Sequence, residues 1–352
     1  MLYKKIKVLI ILFILAFFVA SFFYSRAVNR SADKNGKDVV FVISNGQGVN
    51  QISENLYDQK LIKSKFYFEV YLWRQGLEGK IQAGEYILNP ILSIKEIADI
   101  FVEGKTTENE NIITTIEGWN VREIGQYFEK EGIFQSEELL ELVGFPMIDY
   151  RYNVEINKPK DYSAQFSFLA DKPDYVGLEG YLFPDTYRIF NNASLDDIVV
   201  KMLDNFDKKL TSEMRDDIKT QGKTIYEIVT MASLVEKEVR SYEDMRIVSG
   251  IFWDRIKNRQ ALESCATLAY VLGENKKQYT LEDTKIDSPY NSYENLGLMP
   301  GPISNPGLNA IKAAIYPEYT EYNYFLTATE TGETIFSETF DKHIGNKAIY
   351  LK

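Results

Sequence analysis

Residues 224–239 constrain this chain more than any other stretch. Thr224-Ile225-Tyr226-Glu227 is a capping box, and it opens a helix. At about 100° per residue, Ile225, Ile228, Val229, Ala232, Val235 and Val239 form one apolar stripe, and Met231 and Leu234 make the remaining surface nearly as apolar. A helix that is apolar nearly all round is buried, so other elements must wrap it. Yet it ends in Glu236-Lys237-Glu238. Ionised carboxylates do not enter apolar surroundings cheaply. A carboxyl held there has a raised pKa, which a general acid working near neutral pH requires. The competing reading is that both side chains reach solvent at the helix end. Glu236 lies at the edge of the stripe and Glu238 on the far side. Two helical positions are roughly 200° apart, so the two carboxylates cannot act together on one bond. Periodicity leaves open which of them faces a cleft.

At 352 residues the chain can hold two domains with proper cores. Its formal net charge of −11 leaves no basic surplus to neutralise phosphates, which argues against a nucleic-acid partner. A single cysteine, Cys265, allows no intrachain disulfide, and a single histidine, His343, excludes zinc sites of the His/Cys type. Serine-histidine catalysis could draw only on His343, and no nucleophile motif points to it. Neither a metal nor another cofactor is expected.

Val8 to Tyr24 is seventeen residues without a charge, the short end of what spans a bilayer. Lys4, Lys5 and Lys7 precede it, and only Arg26 and Arg30 follow nearby. The positive-inside rule then puts the start of the chain in the cytoplasm and the rest outside. A cleaved signal peptide is the alternative, but Phe22-Phe23-Tyr24-Ser25 lacks a small-x-small cleavage site. The expectation is a retained single-pass anchor in the cytoplasmic membrane, followed by a polar tether over residues 31–37.

Beyond it, Val39-Val40-Phe41-Val42-Ile43 reads as a strand, Val49, Ile52 and Leu56 recur at helical spacing, and a short strand follows at Glu85-Tyr86-Ile87-Leu88. Ser93-Ile94-Lys95-Glu96 is a capping box opening a helix that stops before Gly104. Val49, Ile52, Leu56, Leu61, Ile62 and Ser64 find weak counterparts 72 residues later in Val121, Ile124, Phe128, Ile133, Phe134 and Ser136. Two unrelated amphipathic helices would match as well. The pattern supports a small strand-plus-two-helix module better than a duplication. Asn153 to Asp174 has few periodic apolar positions and reads as a loop or loosely ordered insertion. Two short strands, Tyr324–Ala328 and Thr334–Phe336, flank Gly332 at a spacing that suits a hairpin. Helices and strands mix without regular alternation, which predicts an α+β fold.

Two further segments are chemically dense. Leu178-Glu179-Gly180-Tyr181-Leu182-Phe183-Pro184-Asp185-Thr186-Tyr187 gathers acids, a hydroxyl and aromatics around Gly and Pro. It suits a rigid loop lining a sugar site, or a plain turn between core strands. Residues 288–307 hold Ser288-Pro289-Tyr290-Asn291-Ser292-Tyr293 and then Gly297-Leu298-Met299-Pro300-Gly301-Pro302-Ile303-Ser304-Asn305-Pro306-Gly307. Four Pro and three Gly among those twenty residues exclude helix and regular strand. Tyr290, Asn291 and Tyr293 supply the stacking faces and amide groups that carbohydrate sites use.

In this order, LEGYLFPDTY, MASLVEKE, SPYNSY and GLMPGPISNPG resemble the motifs of the endolytic murein transglycosylases of the MltG (YceG-like) family. The resemblance covers nearly everything from Val39 onward. It implies a transmembrane helix over residues 8–24 after a cytoplasmic stretch, 1–7, then a linker over 25–37. A LysM-like module would occupy 38–105 and a mixed α+β catalytic domain 106–352. The implied reaction cuts nascent glycan strands of peptidoglycan between N-acetylmuramic acid and N-acetylglucosamine, leaving 1,6-anhydro ends without consuming water, and so ends strand elongation. One acid is then enough, because the same residue can protonate the leaving oxygen and accept the 6-hydroxyl proton. Ordinary glycosidases need two carboxylates.

By the resemblance, Glu238 is the catalytic acid and Glu236 a supporting one. Glu179 and Asp185 shape the cleft, Ser264 and Thr267 keep the sugar-side pattern, and Tyr290 and Asn291 belong to the substrate-side loop. Peptidoglycan synthases and the elongation machinery are the implied partners. Leu262-Glu263-Ser264-Cys265-Ala266-Thr267 departs from the usual L-Q-S-D-P-T, with Cys265 where an Asp is usual. A small packed thiol is the expectation there, and for His343 a solvent-facing or loop-fixing role. Two alternatives remain. One is a water-using hydrolase with Glu179 or Asp185 as its second carboxylate, the other a membrane-tethered glycan-binding scaffold without turnover.

Overall fold

The structure, a computed structural model, describes residues 15, 18–19, 21–33, 35–106, 110–191, 193–276 and 278–351. The chain divides into two compact units, Met1–Ile112 with Arg188–Asn192, and Ile113–Tyr187 with Ala193–Lys352. The apolar run over residues 8–24 lies mostly outside the described residues. Among the described residues, no helix is long and apolar enough to cross a membrane.

In the first unit β1 (Val39–Ile43) and β2 (Gly84–Leu88) pair antiparallel, with Phe41 opposite Tyr86. Between them lie α1 (Val49–Asp58) and α2 (Lys65–Gln75), and α3 (Ile94–Glu103) follows. Strand alternation buries Phe41, Ile43, Tyr86 and Leu88 and exposes Val40, Val42 and Ile87. The rings of Phe41, Phe68 and Tyr86 gather around Phe101, their centroids 5.7, 6.4 and 4.8 Å from its own. Both legs of the capping box expected at Ser93 and Glu96 form, and Gly104 ends α3 in the left-handed region. Residues 21–28 are helical, and Val28 is buried in this core. Although residues 31–37 are polar enough to read as a tether, the Asp33 N–H donates to the Pro90 carbonyl at 2.9 Å.

β3 (Glu110–Thr114) and β4 (Thr186–Phe190) pair with each other and take the chain from one unit to the other and back. After β3 come α4 (Val121–Lys130) and α5 (Ser136–Val143). The order strand, helix, helix therefore recurs, with α4 starting 72 residues after α1, and in both copies the strand that follows pairs with the first. Residues 153–174 are irregular as expected, with a single 3-10 turn at Ser167–Leu169. They are not loose, because Tyr162, Phe166, Phe168 and Leu169 are all buried. Phe168 packs on Tyr181 and Phe206 with centroids 6.0 and 4.8 Å away. Turns have no repeating period by which a sequence could report such burial.

The rest of the second unit is α6 (Leu195–Lys209), α7 (Ser212–Thr220), α8 (Ile225–Glu238), α9 (Tyr242–Lys257), α10 (Cys265–Leu272) and α11 (Leu308–Ile315). An antiparallel hairpin of β5 (Tyr324–Thr327) and β6 (Thr334–Ser337) follows, then α12 (Phe340–Tyr350). As its all-round apolar surface predicts, α8 is buried continuously from Ile228 to Val235, with α7, α9, α10 and α11 packed against it. Ala232 and Ser233 on α8, and Ala310, Ala313 and Ala314 on α11, are fully buried small residues that let the helices approach closely. Helices thus surround one central helix, while the described strands form three separate two-stranded sheets. The architecture is mixed α+β.

Candidate active site

Glu238 is the last residue of α8, where the buried helix reaches a cavity of about 320 Å³. Arg255 of α9, Ser264, Cys265, Tyr293, His343 and Lys347 also line that cavity. The Ser264 hydroxyl donates to Glu238 Oε1. Burial raises the pKa of the Glu238 carboxyl, and the Ser264 hydrogen bond and the Arg255 charge only partly offset this. The group is a protonatable acid in a cavity, with a hydroxyl aimed at one of its oxygens.

Ser264 is held from behind. It caps α10, its Oγ accepting from the Ala266 N–H at 3.2 Å, and its own N–H donates to Ser292 Oγ at 3.0 Å. Thr267, fully buried, donates to the Ser264 carbonyl at 2.8 Å and lies 2.9 Å from Ser292 Oγ. The Glu263 N–H donates to the Ser292 carbonyl at 3.1 Å. Glu263 itself sits at φ +52, a strained conformation for a non-glycine residue, directly before Ser264. The segment 262–267 and the loop 288–293 are therefore laced together behind the acid.

The remaining sequence-predicted residues take other positions. Asn291 is fully buried, its amide donating to the Thr284 and Ile286 carbonyls at 3.0 and 2.9 Å. Its Oδ1 accepts from the Tyr293 N–H at 3.0 Å, so it fixes the loop that presents Tyr293 to the cavity. Tyr290 is buried against Tyr270, with ring centroids 5.3 Å apart. Glu179 shares a smaller cavity with both rings. Glu179 accepts from the Val121 N–H at 3.1 Å, from Asn305 Nδ2 at 3.2 Å and from the Tyr270 hydroxyl at 3.2 Å. Burial pushes its carboxyl up to about 8 against the pull of those donors. Asp185 accepts from Asn205 Nδ2 at 2.9 Å and from the Thr186 N–H at 2.8 Å. Burial pushes its carboxyl up, but those donors and Lys209 win, leaving it below the ordinary range. Glu236, as the 200° separation demands, has different surroundings from Glu238. It accepts from the Gly307 N–H at 2.9 Å, and burial pushes it up to about 7.

Asn305 links the two loops that the sequence singled out. Its Oδ1 accepts from the Gly180 and Leu182 N–H groups at 3.0 and 2.9 Å, while its Nδ2 reaches the Trp119 carbonyl at 3.0 Å as well as Glu179. Gly180 holds φ +90, and a Cβ there would come within 2.7 Å of Pro302 and Val229. Ser233 of α8 accepts from the Ile303 N–H at 3.0 Å. The Pro/Gly loop is thereby fixed to the acid-bearing helix.

Sequence reasoning missed Arg255 and Asn305, while Tyr293, one of the expected stacking residues, does line the cavity. Two expectations change. Of the two roles expected for His343, the solvent-facing one falls and the loop-fixing one is left, because its ring is buried, stacked 5.4 Å from Tyr324, and part of the Glu238 cavity. Cys265 is not packed away but exposed, with its sulfur 3.2 Å from the Tyr293 hydroxyl. Although the residue is exposed, the cavity wall desolvates its sulfur, and that and the nearby Glu238 raise the thiol's pKa against the Tyr293 hydrogen bond.

Fold and site together define a mixed α+β protein that holds a protonatable carboxyl at the end of a buried helix, inside a cavity. The YceG-like family profile matches residues 41–349, and the chain belongs to that family. A relative in Bacillus subtilis (strain 168), an endolytic murein transglycosylase, is 31% identical over 337 residues, covering 94% of this chain and 90% of the relative. Another of that name, from Streptococcus pneumoniae serotype 2 (strain D39), is 30% identical over 330 residues and 91% of this chain. This chain spans 60% of the pneumococcal protein's length. The 2.6 Å crystal structure of a yceG-like protein from Listeria monocytogenes superposes with a TM-score of 0.58 at 29% identity, covering 89% of this chain and 100% of that chain.

Proposed function

We propose that this protein is an endolytic lytic transglycosylase, cutting peptidoglycan glycan strands between N-acetylmuramic acid and N-acetylglucosamine. The observation that supports it most is the Glu238 carboxyl, biased towards its protonated form and held by Ser264 in an open cavity. Glu238 donates its proton to the glycosidic oxygen as the bond to C1 of the muramic acid breaks. The 6-hydroxyl of the same sugar closes on C1, and the Glu238 carboxylate takes the hydroxyl proton. The product is a 1,6-anhydro end, Glu238 returns to its starting protonation state, and no water is consumed. Ser264 orients the acid, Thr267 and Asn291 set the loops behind it, and Glu179, Asp185 and Tyr290 hold the walls.

The apolar run at residues 8–24 and the basic residues before it support a membrane anchor, and the relatives' names, which say murein, support an enzyme whose site faces outward. It would act on glycan near the outer surface of the cytoplasmic membrane, where new strands emerge, and end their elongation. Peptidoglycan synthases and the elongation machinery are the partners such a position implies. The order β1, α1, α2, β2, with its outer strands paired, supports reading residues 38–105 as a LysM-like module.

A hydrolytic reading has one observation in its favour, since Glu263 offers a second carboxylate to the same cavity. The test is to digest uncrosslinked glycan strands with the full chain in detergent micelles and read fragment ends by mass spectrometry. We expect 1,6-anhydro ends, reduced at least about 100-fold in Glu238→Gln and retained in Glu263→Gln. Reducing ends that require Glu263 would make the enzyme a hydrolase. Strand binding without cleavage would make it a scaffold.

A further inference from the structure

The cavity that holds Glu238 also holds a buried cation. Arg255 lies in the last turn of α9, only 7% exposed, and its hydrogen bonds go to uncharged oxygens. Nη1 donates to the Leu262 carbonyl at 2.6 Å, Nη2 to the Asn323 carbonyl at 2.7 Å, and Nε to Asn323 Oδ1 at 3.5 Å. The guanidinium also lies 5.8 Å from the centre of the Tyr324 ring, which in turn stacks on His343. One side chain therefore joins three pieces of the site: helix α9, the segment that leads into Ser264, and the start of the β5–β6 hairpin. The strained Glu263 lies between Leu262 and Ser264, so a fixed Leu262 carbonyl is what holds that backbone on one side.

A guanidinium buried on neutral acceptors leaves its charge free to act on the ionising groups around it. Arg255 lines one cavity with Glu238, Glu263 and Tyr324; of these Glu263 acts on it most strongly, then Tyr324 and Glu238, and its charge in turn favours the Glu238 anion. The Ser264 hydrogen bond lowers that carboxyl's pKa more than the Arg255 charge does, but the other ionisable groups around it bring no buried charge. On α10, Cys265 stays a thiol, and Tyr293 on its loop stays a phenol because burial raises its pKa. His343 on α12 is kept neutral by burial. Glu263 and Lys347 are exposed side chains at the rim, of opposite sign. Arg255 is thus the buried charge in the acid's cavity.

We propose that Arg255 is the positioning residue of this site, clamping the Ser264 segment to the β5–β6 hairpin and placing a full positive charge in the cavity that holds Glu238. This rests on the reading of Glu238 as acid and base. The cycle requires that carboxyl to exist as an anion between its two proton transfers, inside a cavity that disfavours anions. Arg255 stabilises the anion without touching the sugar, and the Ser264 hydroxyl holds it in line.

The experiment compares wild type, Arg255→Gln and Arg255→Lys as full chains in detergent micelles. Two quantities are read: the pH profile of anhydro-end formation, and the titration of the Glu238 carboxyl by carbon NMR on glutamate-labelled protein, with Glu238→Gln assigning the signal. In Arg255→Gln the titration and the alkaline limb should both move up by about one pH unit. Arg255→Lys should leave both in place, yet lower kcat about three- to tenfold with KM unchanged, because an ammonium cannot hold two carbonyls in a fork. A Glu238 titration that is identical in wild type and a folded Arg255→Gln overturns the proposal. If that variant does not fold, a wild-type kcat in Arg255→Lys overturns it instead. Should wild type make no anhydro ends, the transglycosylase reading fails, and the NMR shift in Arg255→Gln still decides whether Arg255 governs the carboxyl.

Discussion

Burial raises both Glu236, to about 7, and Glu238 above the ordinary carboxylate value, yet of the two only Glu238 lines the cavity of about 320 Å³. Glu236 is occupied by a backbone N–H, while Glu238 meets a hydroxyl that a capping residue holds from the opposite helix. Replacing that hydroxyl tests the arrangement. A hydrogen bond donated to the charged form favours it, so Ser264→Ala should let Glu238 hold its proton to higher pH. Cleavage needs the protonated form first, and the alkaline limb of the pH profile should therefore shift upward by at least about one unit, no less than in Arg255→Gln. The plateau rate should fall about three- to tenfold as the acid loses its orientation. An unchanged limb would mean that Ser264 serves only as a helix cap. The Glu236–Glu238 opposition was legible from helical geometry alone, but the choice of Glu238 needed the resemblance of MASLVEKE to a known motif. Arg255 was not legible, because an arginine in the last turn of a helix reads as a solvated partner of the helix dipole.

Helix α4 begins against the buried Glu179, whose carboxyl accepts the Val121 N–H. A carboxyl raised from 4.5 to about 8 has a consequence for stability. Below the unfolded value both states hold the proton, and the folded state keeps its full advantage. As pH rises towards 8 the unfolded chain releases the proton while the folded chain retains it. Stability then falls by up to about 1.4 kcal/mol per pH unit, and levels off above the folded value. Glu179→Gln keeps an acceptor for Val121 and removes the titration. Urea unfolding at pH 5 and pH 8 should show wild type losing more stability between the two than Glu179→Gln. Equal losses would place the ionisation elsewhere. Elements with local signals were readable, among them the capping boxes at Ser93 and Thr224 and the β5–β6 hairpin. The ties between distant loops were not. Asn305 reads as one more turn residue in a Pro/Gly segment, and only the fold brings its amide to Gly180, Leu182, Trp119 and Glu179.

The chain divides between Ile112 and Ile113, inside β3, so the first strand–helix module falls in one unit while α4 and α5 belong to the other, with the helices around α8. How the first unit begins was not legible, since residues 25–37 look like a free linker by composition. Val28 is 3% exposed and belongs to the core of Phe41, Leu72 and Phe101. Four residues earlier, one helical turn back, the Tyr24 ring packs 6.4 Å from Tyr67 and lies beneath the Arg74 guanidinium. The helix over residues 21–28 is thus built into the unit that follows it. If residues 8–24 are the membrane anchor, the module has little slack relative to the bilayer, which would confine the enzyme to glycan at the membrane surface. Chains starting at Ser21 and at Ser31 separate the two pictures. Burying a valine contributes about 1.5–3 kcal/mol. The chain starting at Ser31 should therefore unfold at lower urea, with a loss of that size in the first unit, and Val28→Ala in the longer chain should reproduce part of it. Equal midpoints for the two chains would make residues 21–30 a tether after all, and the reach of the enzyme would then be set by a flexible segment.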